Sequence, residues 1–200
     1  MLLMFAGLAL FLGSHSLQIL GNLRKTIINT VGDPVYRISY VLVSVAGLIL
    51  VAEGYKAWKY VDGSAILYVS PAWMSHIALL LMAFAFIALA ATYMPGYIKR
   101  ALKHPMLVAV KVWALAHLLA NGDAASVVLF GAFLAWAVVD RISVERRAAA
   151  DFTTLNTVLA QAKPNALFDV AAVVIGLGVY VLFVWKLHLW LIGVAPVAVG

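Results

Sequence analysis

A chain of 200 residues that is 66% hydrophobic and only 11% charged has too few polar side chains for the skin of a soluble domain, where about 25% are charged. That balance leaves an integral membrane protein as the class. The absence of cysteine excludes disulfides, thiolate metal ligands and thiol nucleophiles, and the net charge of +6 forms no basic patch interleaved with aromatics, which argues against nucleic-acid recognition.

Six apolar runs follow in chain order, each near the roughly 20 residues that a helix needs to cross a bilayer. They are 2–21, 35–52, 72–94, 105–120, 124–140 and 170–192. The first, within "MLLMFAGLALFLGSHSLQILG", lacks a basic leader and a small-residue cleavage site, so it reads as a retained span and not as a signal peptide. "GDP" at 32–34 and "MPG" at 94–96 mark turns, and Pro105 opens the fourth helix at its first turn. Only "NGD" separates the fourth run from the fifth, which predicts a tight helical hairpin with Asn121-Gly122 as the helix stop. The longest connection, 141–169, begins "RISVERRAAADF" and reads as a charged segment holding an amphipathic surface helix. The expected fold class is all-α: a polytopic transmembrane helical bundle of about six spans, with the lipid bilayer as its main partner.

Charge sets the expected topology. If the connections alternate sides, one side collects Arg24, Lys25, Arg37, Lys99, Arg100, Lys103, Arg141, Arg146, Arg147 and Lys163, and the other only Lys56, Lys59 and Lys186. The rich side should be cytoplasmic and both termini should face outward. Trp58, Trp73, Trp185 and Trp190 then fall near the outer interface as an aromatic belt.

The stretch 104–126, "HPMLVAVKVWALAHLLANGDAAS", holds His104, Lys111, His117, Asn121 and Asp123 within an apolar sequence. An ionisable group at mid-membrane costs roughly 2.5–3.5 kcal/mol on insertion scales. Lys111 either snorkels to the surface or faces an anion inside the bundle. Trp113, His117 and Asn121 form one stripe at i, i+4, i+8 on the fourth helix. Phe11, His15, Gln18 and Asn22 form a second on the first. Two such stripes suggest an interior polar seam, either as interhelical packing or as a binding site. No HxxxH pair and no mid-membrane carboxylate occurs, which excludes a di-iron carboxylate centre and argues against hydrolytic zinc. Two histidines from different helices without a thiolate suit haem iron, whose propionates would give Lys111 an anion. No GxSxG, GxGxxG or P-loop is present. By depth alone, His15 pairs with His104 and His117 with His76.

"KHPMLVAVKVWALAHLLANGDAASVVLFGAFLAWAVVDR" at 103–141 closely resembles the signature of the NnrU family. "FLGSHSL" at 11–17 and "WMSHIALLLMAFAFIALAATYMPGYIKRALKHP" at 73–105 are similar to its earlier segments. The resemblance implies a multi-pass protein of the bacterial inner membrane, with both termini periplasmic, that is linked to denitrification through production of nitrite and nitric oxide reductases. It divides the chain into an NnrU-type transmembrane domain of five helices, 1–147, and a cytoplasmic connection plus sixth span, 148–200. The domain also resembles that of the plant zeta-carotene isomerases, haem b proteins with two histidine ligands. By that likeness His15 and His117 become the iron ligands, with His104 and His76 as alternates. Lys111, Trp113, Asn121 and Asp123 complete the cofactor site. The isomerases' cysteine before this histidine is Ala114 here, so no thiol can switch ligation. "KHP" resembles the "RHP" of isoprenylcysteine methyltransferases, without a cofactor pattern for methyl transfer. Three functions follow: a haem-binding family member, a haem-dependent isomerase of an apolar isoprenoid-like substrate, or a cofactor-free accessory protein acting through a partner complex.

Overall fold

The computed structural model describes residues 1–150 and 163–196, except for the side chain of Ala150. Within them the order is α1 (Leu2–Ser16), α2 (Gly21–Val31), α3 (Asp33–Lys56) running on through a π-helical turn at Ala57–Val61, α4 (Ala72–Ala91), α5 (Tyr97–Leu102), α6 (Pro105–Ala120) and α7 (Ala124–Ala150). Then come α8 (Ala166–Leu182), a second π-helical turn at Phe183–Leu187, and α9 (His188–Ile192). The all-α expectation holds. Residues 151–162, the middle of the expected charged connection, lie outside the described residues.

Four helical stretches are long and apolar enough to cross a membrane: Asp33–Val61, Ala72–Ala91, Ala124–Ala149 and Ala166–Ile192. A fifth counts only if α1 and α2, which meet at 89°, act as one bent span. The expected fourth span is α6, whose 16 residues reach about 24 Å at 1.5 Å per residue, short of the roughly 30 Å hydrocarbon core. The first run breaks where the hydroxyls of Ser14 and Ser16 donate to the carbonyls of Phe11 and Leu12, a local competition that bends helices. Gln18 and Asn22 therefore fall outside α1, although Gln18 stays close to Tyr40, whose ring lies 5.2 Å from that of His15. That stripe ends at His15.

Helix α1 lies along α3, and small residues let the backbones touch. A Cβ at Gly7 would meet the backbone of Leu50 and Val51, one at Gly47 would meet Phe11, and one at Gly54 would meet Leu3 and Met4. Between helices in lipid this close approach is the main attraction. Against the pair α1–α3 packs α7, then α6, α4 and α8 in turn. The core joins Met4, Leu8, Val51, Ala114, Leu129, Phe130 and Phe133, drawn from α1, α3, α6 and α7.

Contacts between helix ends define the two ends of the bundle. At one end Met1 lies 3.4 Å from Asp62, and the segment 62–71 covers Asn121–Asp123. At the other end Arg147 donates to Gln18 O, Arg141 donates to Leu102 O, and Asn165 N donates to Pro95 O. Arg141 and Arg147 belong to that second end. There the turn before α6 is strained: Lys103 has φ 60° while His104 N donates to Leu102 O at 2.6 Å, a tight γ-type turn that non-glycine residues rarely adopt.

Gly54→Val should place side-chain atoms inside the α3–α1 contact and cost about 1–3 kcal/mol by overpacking. Gly13→Ala, on α1 with open space around its Cβ position, should be neutral or stabilising by a few tenths up to about 1 kcal/mol. Thermal melts of the two variants in one detergent check the pair; equal melting temperatures would remove the glycine seam as a determinant.

Candidate functional site

His15 and His117 are held by the same device. His15 Nδ1 lies 2.8 Å from Phe11 O, and His117 Nδ1 lies 2.9 Å from Trp113 O. Each carbonyl can only accept, so each bond puts the proton on Nδ1 and leaves Nε2 as a lone-pair donor. That is the arrangement in which an outer partner fixes the tautomer of a metal-ligating histidine.

The two imidazoles sit at opposite ends of an aromatic ladder. His15 stacks on Phe11 at 4.2 Å between ring centroids and meets Trp136 edge-on at 5.9 Å. Phe11 touches Phe133 at 5.6 Å, and Phe133 meets Trp113 at 5.3 Å. Trp113 reaches His117 at 5.3 Å, and His117 stacks on Phe130 at 4.4 Å. Phe130, Phe133 and Trp136 are spaced i, i+3, i+6 along one face of α7, so the histidines are offset by about 9 Å along that helix. Phe11 and Phe133 stand between them. This agrees with the depth difference expected from sequence. A ligand spanning both donors has to enter between those rings.

The His117 end of the site is closed by one buried ion pair. Lys59 Nζ lies 2.9 Å from Asp123 Oδ2, with side-chain exposures of 18% and 8%. The same ammonium donates to Tyr55 OH at 2.9 Å, Asn121 Oδ1 at 3.2 Å and Ser126 Oγ at 3.2 Å. Asp123 also accepts from the amide and hydroxyl of Ser126 at 3.0 and 2.7 Å, which makes it the N-cap of α7. Burial alone would raise its pKa, but the bonds from Lys59 and Ser126 outweigh burial and hold the carboxyl below its ordinary value. Asn121 turns back to donate from Nδ2 to His117 O at 3.1 Å, tying this cluster to the imidazole below it.

The segment 62–71 straps both helix ends. Ala124 N donates to Ala65 O and Ala125 N to Ser64 Oγ, both at 2.8 Å. Tyr68 OH donates to the carbonyls of Leu118 and Asn121, and Ser70 Oγ donates to Leu119 O at 2.6 Å. The orphan carbonyls ending α6 and the orphan amides opening α7 are thus satisfied by one strap. Gly122 works differently from the expected helix stop. It is not among the glycines with positive φ; its missing Cβ makes room for the carbonyl of Tyr68.

The family model of the NnrU protein matches residues 3–196, nearly the whole chain. The chain belongs to the NnrU family. No curated protein and no solved structure matches it. In this NnrU chain the match runs past 147 into α8, whose Asp169 caps α5 by accepting from the amides of Tyr97 and Ile98 at 2.9 and 2.8 Å.

The remaining sequence candidates are dispersed. Lys111 is half-buried on α6 and has no ion-pair partner among the described residues. His104 precedes α6; burial, then the nearby Arg141, keep its imidazole below the ordinary histidine range. His76 is exposed on α4. Trp113 and Asn121 flank His117 as the stripe predicts, whereas Asp123 is the buried partner of Lys59. Lys59 carries the closure, and sequence reasoning counted it only as an outer-side charge. Its i, i+4 spacing from Tyr55 was the available signal.

Lys59→Met should strand the Asp123 carboxylate and cost about 3–5 kcal/mol, while adding Asp123→Asn should recover much of the loss. Thermal melts of the single and double variants, read as a cycle, check this. Because the Asp123 pKa is depressed in the fold, its contribution is fully present above the ordinary carboxylate pKa of about 3.9. It disappears as pH falls below that value through the folded pKa. Wild type should therefore lose stability over that acid window, and the double variant should lose less.

Proposed function

We propose that this protein is a haem b-binding membrane protein of the NnrU family, with His15 and His117 as the iron ligands. The observation that carries the reading is the paired anchoring of both imidazoles, each with Nδ1 on its own helix carbonyl and no hydrogen bond to Nε2 among the described residues. The donor chemistry suits haem iron, neutral imidazoles without a competing thiolate, and the Phe11 and Phe133 rings between them would have to part for one iron to reach both. Family membership supports a denitrification-associated role at the level of the family. The haem iron, when bound, would supply one-electron and diatomic-ligand chemistry. The chain supplies the rest. Phe11, Trp113, Phe130 and Phe133 give an apolar face, the strap and the Lys59–Asp123 pair exclude water from the His117 end, and Asn121 holds the His117 helix turn. An isomerase acting on an apolar isoprenoid-like molecule would use the same apolar face. A second reading, a cofactor-free accessory protein, is favoured by the direct Phe11–Phe133 contact, which fills the space between the imidazoles by packing. The basic end of the bundle is the cytoplasmic one, which puts the N-terminus and the strap on the periplasmic side of the inner membrane.

Detergent-purified protein from haem-replete cells should show a Soret band that shifts on adding dithionite. His15→Ala and His117→Ala should each lose it, whereas His104→Ala should keep it. A colourless wild-type preparation overturns the haem reading in favour of the accessory one. Reporter fusions at Asp33 and Met94 should report cytoplasm and a fusion at Gly63 the opposite side; reversal of two of the three contradicts the topology.

A further inference from the structure

Helix α2 meets α1 at 89°, and α1 lies along α3, which is long and apolar enough to span a membrane. With that pair crossing the bilayer, α2 runs in the membrane plane. Its sequence, GNLRKTIINTV, has two faces at helical spacing. Leu23, Ile27 and Val31 recur at i, i+4, i+8 on one, while Asn22, Lys25, Thr26 and Asn29 occupy the other. No residue of α2 is buried, and Leu23 and Val31 are 47% and 43% exposed. The apolar face is therefore not used up by packing. Asn22, Arg24, Lys25 and Asn29 are too costly for the hydrocarbon core, so α2 is not the second half of a span. It has the composition of a helix lying at the lipid–water boundary, with its apolar face down and its basic residues among headgroups.

The elbow between α1 and α2 holds an open cavity of about 600 Å³, lined by Ile19, Leu20, Gly21, Asn22, Leu23 and Arg147. Its wall is apolar apart from Asn22 and one guanidinium. Arg147 ties the elbow to α7, its Nη1 donating to Gln18 O at 2.8 Å and Ser143 Oγ at 2.6 Å. Its Nη2 stands 4.0 Å from the buried Asp140 Oδ1, beyond hydrogen-bond reach. Arg24 rests 5.6 Å over the Tyr36 ring, and neither it nor Lys25 has a carboxylate partner among the described residues. Asp33 is held by Arg37 at 2.6 Å and Glu145 by Arg141 at 2.7 Å, so neither is free to hold the ammonium of a zwitterionic headgroup. A phosphodiester on acyl chains matches both halves of the lining: oxygens for the guanidinium, chains for Ile19, Leu20 and Leu23. A stable protein partner would need about 800 Å² on this side, more than one face of a helix about 16 Å long. We infer that α2 lies in the membrane interface and, with Arg147, seats the headgroup of an anionic phospholipid in the elbow. This holds whether or not haem is bound.

The chain has no cysteine, so full-length protein carrying Leu23→Cys or Asn29→Cys takes a nitroxide label at one place. In vesicles of equal parts phosphatidylcholine and phosphatidylglycerol, the label at 23 should collide mainly with dissolved oxygen. The label at 29 should collide mainly with a water-soluble nickel chelate. Native mass spectrometry of unlabelled protein extracted from the same vesicles then reads the lipid retained. Wild type should keep phosphatidylglycerol over phosphatidylcholine by about fivefold, the scale of one basic residue at an anionic surface. Arg147→Gln should bring that ratio close to unity, and Arg24→Gln/Lys25→Gln should lower it at least about twofold. Lys186→Gln, which removes an ammonium lying over the Trp185 ring, should leave it unchanged. A label at 23 shielded from both reagents means that protein covers α2 and overturns the inference. Nickel contact equal at 23 and 29 overturns it too, as does a phosphatidylglycerol preference that is absent or survives both elbow variants. If Arg147→Gln does not accumulate, the Arg24→Gln/Lys25→Gln protein gives the decision.

Discussion

An ammonium buried in one end of an apolar bundle is tolerable only if its surroundings neutralise it. Lys59 has Asp123, Tyr55, Asn121 and Ser126 arranged around it, so its charge is spread over four oxygens from the end of α3, the α6–α7 hairpin and the start of α7. Those three pieces cannot separate without leaving a charge unpaired at low dielectric. The strap from 62 to 71 adds the backbone half of the same closure. Together they make the outer ends of α3, α6 and α7 one rigid block and fix the depth of His117 beneath it.

The other histidine is placed by contact instead of charge. Glycines on α1 and α3 bring the two backbones together, and the approach presses Phe11 and His15 toward α7. There the ladder of Phe133, Trp113 and Phe130 runs from one imidazole toward the other. Among the described residues the buried charged and polar groups lie toward the ends: Asp123 and Ser126 beside Lys59 at one, Asp140 toward the other. Between them lies a wall of rings whose quadrupoles favour offset and edge-on contact. An apolar, planar ligand matches such a wall, and the second reading, in which the rings simply pack, rests on the same geometry with the space closed.

Composition was enough to make the class and the all-helical fold legible, and the 3.6-residue spacing placed Trp113, His117 and Asn121 on one face. Depth counting along the helices also anticipated that His15 and His117 would not meet directly. What could not be read were features decided by three-dimensional partners. The first run looks continuous in hydropathy, yet serine hydroxyls accompany the end of α1 at Ser16, and Gln18 and Asn22 lie beyond it. Gly122 looks like a stop signal, but its smallness serves the carbonyl of Tyr68, which comes from a segment more than fifty positions earlier in the chain. Lys59 looked like one of a few outer charges because nothing local in the sequence says that Asp123 will face it.

The central claim is that both imidazoles bind one iron, and low-temperature electron paramagnetic resonance of the oxidised, purified protein tests it most directly. The account predicts a low-spin ferric signal of the two-imidazole kind, converted to high spin when either His15 or His117 is replaced by alanine. A low-spin signal that survives both replacements would place the iron on other residues and contradict the account.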